Sequence, residues 1–147
     1  MAAFRQGKYT LRNPEKYIGD PNKVRYMSSW ELQTHEFLDN NPHILRWSSE
    51  GFCIPYIKPT DQKIHKYYPD YYIEYKSATG QLVREVLEVK PLAQTKRPRQ
   101  RKSQSTQSRL YEQLTYAVNM AKWEAAEAFC KKHNLIFRKV TEKQIFR

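Results

Sequence analysis

The stretch "YYPDYYIEYKSATGQLVREVLEVKP", residues 67–91, decides the fold. Its two ends, "YYPDYYIEY" and "LVREVLEVK", are rich in aromatic and β-branched residues and predict two strands. Ser77-Ala78-Thr79-Gly80 between them predicts a hairpin turn, and Pro91 ends the second strand. The same stretch holds acids that a half-buried sheet gains nothing from. Asp70 sits among Tyr67, Tyr68, Tyr71 and Tyr72, and Glu88 lies between Leu87 and Val89. Taking a charge out of water is costly unless it is paired. Either the strands expose these acids, or the acids face each other around something positive.

Turn length decides whether they can face each other. A three-residue loop, Ala78-Thr79-Gly80, sets Ser77 opposite Gln81 and Asp70 opposite Glu88, with Gly80 at the left-handed position such loops favour. A two- or four-residue loop sets Asp70 opposite Leu87 and sends the acids to opposite faces. A shared site therefore selects the odd-length loop.

Upstream, residues 1–25 are polar, with Pro14, Gly19 and Pro21, and read as an irregular N-terminal arm. Residues 28–40, "SSWELQTHEFLDN", predict a helix: Met27, Trp30, Thr34, Phe37 and Leu38 recur at helical spacing and Asn41-Pro42 ends it. Ser28 and Glu31 fit a capping box. "HILRW" and "GFCIPYI" are short strands around a polar turn, Pro55 placing the second at an edge or bulge. Lys58 to Lys66 reads as a polar loop.

Downstream, Pro91 to Tyr111 contains no acid but holds Lys96, Arg97, Arg99, Arg101, Lys102 and Arg109. The basic loop 95–108 is expected to be mobile and able to close over a polyanion. Ser108 to His133 reads as helical, with Asn119 as an N-cap dividing it into two. "LIFRKV" gives a last strand and "TEKQIF" a short terminal turn. The order is that of an α/β domain, a mixed sheet of four to five strands flanked by helices. The arm covers 1–25 and a single domain covers 26–147.

A chain of 147 residues, 39% hydrophobic, suffices for one domain with a proper core. Its net charge of +11 points to a polyanionic partner, nucleic acid before membrane. No apolar run approaches the roughly 18 residues of a membrane span, and the N-terminus lacks the apolar centre of a secretory signal. Cys53 and Cys130 lie far apart without zinc-ligand spacing and read as reduced core residues of a cytosolic protein. His35, His43, His65 and His133 form no metal or triad pattern and read as surface or helix-cap residues.

The candidate constellation is Glu31, Asp70, Glu88 and Lys90. Phosphodiester hydrolysis needs an activated water, a shield for developing charge, and help for the departing oxygen. Hard carboxylate oxygens holding Mg²⁺ suit that task, and a nearby lysine can orient or deprotonate the water. Strand periodicity puts Glu88 and Lys90 on one face. An acid-x-lysine triplet is weak evidence by itself, since Asp61-Lys63 and Glu74-Lys76 match it too, both reading as solvated pairs. Glu31 is explained by the capping box without any catalysis.

Pro69-Asp70 followed by Glu88-Val89-Lys90 resembles the PD-(D/E)xK nuclease superfamily. "KYIGDPNKVRYMSSWE", "NPHILRWSSEGFCIPY", "YYPDYYIEY", "LEVKP" and "YAVNMAKWEAAEAFCKKHNLIFRKVTE" narrow this. Together they resemble the head completion nucleases of T-even-like phages, a family similar to the TnsA transposon-end endonuclease. The resemblance runs from about Lys16 to Glu142. It implies a restriction-endonuclease-like core and Mg²⁺-dependent DNA cleavage, Mn²⁺ being a possible substitute. It further implies metal-binding roles for Asp70, Glu88 and the Val89 carbonyl, and water activation by Lys90. It gives Glu31 an acidic site role, against the cap-only reading, with metal binding optional. Lys122 in the matching helix is a candidate phosphate contact, with the basic loop as the main DNA-binding element, and Trp123 is expected in the core.

The function so implied is endonuclease action, with exonuclease action open, on packaged DNA during head completion and head-tail joining. Expected partners are DNA and phage head, portal or neck proteins, with no membrane. The expected location is the host bacterial cytoplasm during assembly, with the virion an option. The alternatives are a TnsA-like transposon-end endonuclease and a non-catalytic connector that grips the DNA end. The lack of a second DNA-binding domain in the sequence favours the phage reading.

Overall fold

A computed structural model describes residues 6–145. A short strand β1 (Gly7–Lys8) pairs with β2 (Arg25–Tyr26), and α1 (Ser29–Asn40) follows. Then come β3 (Ile44–Ser49), β4 (Ile54–Lys58), β5 (Lys63–Tyr67), β6 (Tyr71–Lys76) and β7 (Leu82–Val89). The long helix α2 (Thr106–Lys132), β8 (Ile136–Val140) and one turn of helix, α3 (Glu142–Ile145), complete the described chain. The main sheet has the order β3-β6-β7-β8. β6 is antiparallel to both neighbours, whereas β8 runs parallel to β7. A parallel joint requires a crossover, and α2 supplies it. The expected four-to-five-strand mixed sheet with flanking helices is present, and β4 and β5 form a separate antiparallel ribbon.

Two apolar clusters lie on opposite faces of the sheet. Leu38 of α1 packs with Trp47, Tyr71, Ile73, Leu87 and Val140 on one face. Trp123 and Ala126 of α2 pack with Ile54, Tyr56 and Tyr67 of the ribbon on the other, joined by Phe137 of β8. The alternation of strand side chains assigns residues between these faces. Tyr71 and Leu87 belong to the α1 face, so Asp70 and Glu88, each one position away, belong to the α2 face.

Several expectations are corrected. Residues 1–5 lie outside the described residues, but the rest of the supposed irregular arm is built into the domain. Tyr9 and Val24 are buried in the α1-face core. Asp39, fully buried at the end of α1, accepts from the Tyr9 hydroxyl (2.9 Å) and from the Arg12 and Asn13 amides (2.8 and 3.0 Å). Lys16 Nζ donates to the carbonyls of Leu38, Asp39 and Asn41, all within 2.9 Å. A cation on the free carbonyls of a helix C-terminus is the favourable sign for the helix dipole.

The supposed loop Lys58–Lys66 contains β5, because Lys58–Gln62 turns the chain back and pairs Ile57 with Ile64. Asn119 does not divide the second helix. α2 runs unbroken from the Ser105 cap, whose Oγ accepts from the Ser108 amide, and takes residues 106–108 from the predicted basic loop. Asn119 is buried on the same face as Trp123, Ala126 and Cys130, and packing that whole face favours continuity over a local cap. The terminal turn forms with Gln144 Oε1 accepting from the Thr141 amide and hydroxyl, while Phe146 lies outside the described residues.

His35 is neither a surface nor a cap residue. It is fully buried, its Nε2 2.9 Å from the Arg25 carbonyl and its Nδ1 2.7 Å from the Tyr71 hydroxyl. Burial lowers its pKa. A neutral ring facing a carbonyl carries its proton on Nε2, so Nδ1 accepts from Tyr71.

The hairpin register is the one that the acids required. Tyr71 pairs with Leu87 and Lys76 with Leu82, and one further step along that register sets Asp70 opposite Glu88. The Ser77 amide donates to the Gln81 carbonyl and the Gly80 amide to the Ser77 carbonyl. Gly80 has φ +82°, with nothing within 4 Å of where a Cβ would stand. The strain of a larger residue there is purely one of backbone angle. Gly80→Val should therefore destabilise the protein by about 1–2 kcal/mol, lowering Tm by roughly 2–8 °C. Gly80→Asn, which tolerates that region, should lose far less. Thermal unfolding monitored by circular dichroism reads both, and equal losses would contradict the angle argument.

Candidate active site

Pro69-Asp70 lies just before β6, with Pro69 fully buried. The Asp70 carbonyl accepts from the Glu50 amide at 3.0 Å, which ties this corner to the end of β3. Asp70 Oδ2 accepts from the Val89 amide at 2.7 Å, so the carboxylate bridges directly onto β7. Glu88, 4% exposed, faces it across the hairpin. Lys90 follows on the same face, its Nζ 3.8 Å from Glu88 Oε2. The Lys90 amide donates to the Val140 carbonyl at 2.9 Å, which continues the β7–β8 pairing past the end of the strand.

A half-buried acid so close to a buried one cannot ionise freely beside it. Burial raises the pKa of Asp70, and the charge of Glu88 and a hydrogen bond to it raise it further, to about 8; the Val89 amide and Lys90 oppose the shift. The pair thus keeps a proton near neutral pH. Tyr67 of β5 adds a third group: its hydroxyl is buried against Glu88 without a well-formed hydrogen bond.

Glu31 stands apart from this pair. Ser28 Oγ accepts from the Glu31 amide (3.2 Å), as in a capping box. The Glu31 carboxylate accepts from the Met27 amide (3.3 Å) rather than from that of Ser28, and from the Ser28 hydroxyl (3.4 Å). Burial and then Glu50 raise its pKa, opposed by the Met27 and Ser28 bonds. The Tyr71 hydroxyl oxygen, whose one proton goes to His35, lies 3.2 Å from the backbone carbonyl of Glu31. Among the described residues, no three His, Cys, Asp or Glu side chains converge as a ready metal cage.

The other acid-x-lysine triplets are local. Asp61 accepts from the Lys63 amide and pairs with His65 at 2.7 Å, and Glu74 accepts from the Tyr72 hydroxyl at 2.6 Å.

The basic segment after Lys90 lies along α2 instead of hanging free. Leu92–Thr95 forms a 3-10 turn. Arg101 pairs with Glu112 of α2 at 2.9 Å, and Arg109 donates to the Arg101 carbonyl at 3.1 Å. A cavity of about 910 Å³ between segment and helix is lined by Lys96, Arg97, Arg99 and Arg101 on one side and by Tyr116 and Asn119 on the other. Lys102 is exposed, and Lys102 and Arg109 are not among its lining residues. Lys122, one turn beyond Asn119, and buried Trp123 belong to the α2 face.

Sequence reading missed Tyr67 and Lys139 as neighbours of the acids. Lys139 pairs in register with Glu88 and holds its ammonium 4.6 Å from the Trp123 ring centroid. The strand alternation of "LIFRKV" carried that signal, but only the parallel register connects it to Glu88.

The mixed sheet with its crossover helix is consistent with the restriction-endonuclease-like class of fold. The family model for the N-terminal domain of TnsA-like endonucleases matches residues 41–142, and the chain belongs to that family. It is 36% identical over 139 residues to the head completion nuclease of Enterobacteria phage T4, covering 92% of this chain and 90% of that protein. No solved structure matches the chain. No helix among the described residues is long and apolar enough to cross a membrane.

The acid pair has a measurable consequence for stability. Because folding raises the Asp70 pKa from 3.8 to about 8, the folded state binds more protons than the unfolded state between those values. Stability contributed at this site therefore falls as pH rises through that window. Without divalent ions, Asp70→Asn should raise Tm at pH 8 by a few degrees, as about 1 kcal/mol moves a domain of this size by roughly 2–4 °C. The gain should vanish near pH 4. A Tm difference independent of pH would show that the carboxyl pair is not strained.

Proposed function

We propose that this chain is a Mg²⁺-dependent DNA nuclease that cuts or trims packaged DNA during phage head completion, so that head and tail can join. The observation that carries the reading is half-buried Asp70 facing buried Glu88, with Lys90 beside them. Two opposed acids that hold a proton for want of positive charge fit a hard cation, and the donors are all oxygen. Asp70, Glu88 and the Val89 carbonyl would hold Mg²⁺, or Mn²⁺ in its place. Glu31 could join them only by leaving the helix start. When bound, the ion acidifies water and shields charge on the phosphate.

The protein's own groups would do the rest. Lys90 holds the attacking water and steadies negative charge as it grows. The water oxygen bonds to phosphorus, the bond to one bridging oxygen breaks, and a proton ends on that oxygen. The segment Lys96–Arg109 holds flanking phosphates. Both internal nicking and trimming from an end are compatible with an acid pair flanked by a basic segment. Partners would be DNA and the head, portal or neck proteins, met in the host cytoplasm during assembly. The near-full-length match to a phage protein supports this reading over transposon-end cleavage.

Supercoiled plasmid should be nicked with Mg²⁺ and left intact with EDTA. Lys90→Ala should slow nicking by at least about 100-fold, the scale of losing one transition-state donor, with DNA affinity nearly unchanged. A folded Lys90→Ala protein that nicks at the wild-type rate would remove the assignment, and wild-type nicking in EDTA would remove the metal. A separate measurement addresses the basic segment. Neutralising Arg97, Arg99, Arg101 and Lys102 should flatten the slope of log affinity against log salt by about 2–3, most of a unit per lost phosphate contact. An unchanged slope would mean that the segment does not touch DNA.

A further inference from the structure

α2 turns one ammonium group towards the acid pair. Lys122 Nζ lies 5.9 Å from the Tyr56 ring centroid and 5.7 Å from that of Tyr67, over the faces of both rings. Burial lowers its pKa, Glu88 is the first charge to oppose that, and Lys90, Lys58 and Asp70 also act on it. The group is thus in the field of the same carboxylates that Lys90 serves, reached from the opposite wall. Lys90 comes from the sheet and is paired with Glu88. Lys122 comes from the helix and makes no ion pair among the described residues.

A lysine that merely packs its stem would snorkel its head into water. This one keeps its head over two aromatic faces, which attract a cation yet accept none of its three donors in a conventional hydrogen bond. Tyr67 adds a hydroxyl buried against Glu88 without a well-formed hydrogen bond. Together they make a polar notch on the α2 face, its ammonium held over two rings and paired with no acid among the described residues. Lys96, Arg97, Arg99 and Arg101 of the basic segment differ, being exposed and placed along the neighbouring cavity.

We infer that Lys122 is a catalytic residue that grips a non-bridging oxygen of the phosphate being cut, holding it between the helix and the Asp70–Glu88 pair, opposite Lys90. This rests on the nuclease reading and refines it. The basic segment sets affinity for DNA, whereas Lys122 sets the rate at the reacting phosphate. The tyrosine faces steer the ammonium and keep it from collapsing onto Glu88.

The test is single-turnover cleavage of a labelled duplex at saturating protein with Mg²⁺, beside DNA affinity measured in EDTA. Lys122→Met keeps the stem over the rings and removes the charge, and Lys122→Arg keeps the charge. Lys122→Met should cut about 100-fold more slowly or worse, while its affinity changes less than about threefold, one phosphate contact among several. Lys122→Arg should recover part of the rate. Lys122→Met cutting at the wild-type rate once saturated, whatever its affinity, would overturn the inference. So would Lys122→Arg being as slow as Lys122→Met, since a retained cation must then be irrelevant. If Lys122→Met fails to fold in a thermal melt, Lys122→Arg alone decides, a rate as low as that of Lys90→Ala counting against the inference. Wild-type protein that cuts no DNA would instead remove the nuclease reading itself.

Discussion

The pairing of Asp70 with Glu88 is the constraint on which the rest depends. Strand side chains alternate, so a slip of one residue between β6 and β7 would send Asp70 and Glu88 to opposite faces. A three-residue turn with Gly80 in the left-handed region sets the register, and the bond from the Val89 amide to Asp70 continues it past the last strand pair. The bond that positions the acid is thus also the one that holds the hairpin end together. Fold and site are stabilised by the same contact.

The sheet then separates two tasks. On the α1 face, Trp47, Tyr71, Ile73 and Leu87 form an ordinary apolar core, closed by the N-terminal segment through buried Asp39 and the cap by Lys16. Neutral His35 ties α1, β2 and β6 together through Tyr71 and the Arg25 carbonyl. On the α2 face the same strands present Asp70, Glu88 and Lys90. An extensive apolar core on one side lets the other carry acids that disfavour each other, a local cost that functional sites commonly bear.

Charge is arranged in layers around that pair. Lys90 touches Glu88, Lys122 and Lys139 approach from α2 and β8 over aromatic rings, and the basic segment lies further out. A polyanion entering such a site meets cations at every stage, while the acids at its centre oppose it until positive charge is added. The net charge of +11 is therefore the surroundings of a small acidic centre. Screening by salt weakens the outer layer more than the inner one, because exposed charges are shielded more than buried ones.

Much of this was legible in the sequence, because it depends on local chemistry. Alternation and turn residues give the hairpin, chemistry selects its odd-length loop, and Ser28 marks the start of α1. Where only short-range signals were read, the reading failed. Asn119 looks like a cap until α2 buries it, Lys58–Lys66 looks like a loop until β5 pairs across it, and His35 looks incidental until three elements close over it. Residues 6–25 look irregular because their partners lie at the far end of α1. The site divides the same way. Asp70, Glu88 and Lys90 lie within one hairpin, so their spacing alone relates them. Tyr67, Lys122 and Lys139 reach the acids through a ribbon, a crossover helix and a parallel strand, and only packing brings them there. Parallel pairing leaves no short turn in the sequence to announce its register, so tertiary structure alone placed Lys139 beside Glu88.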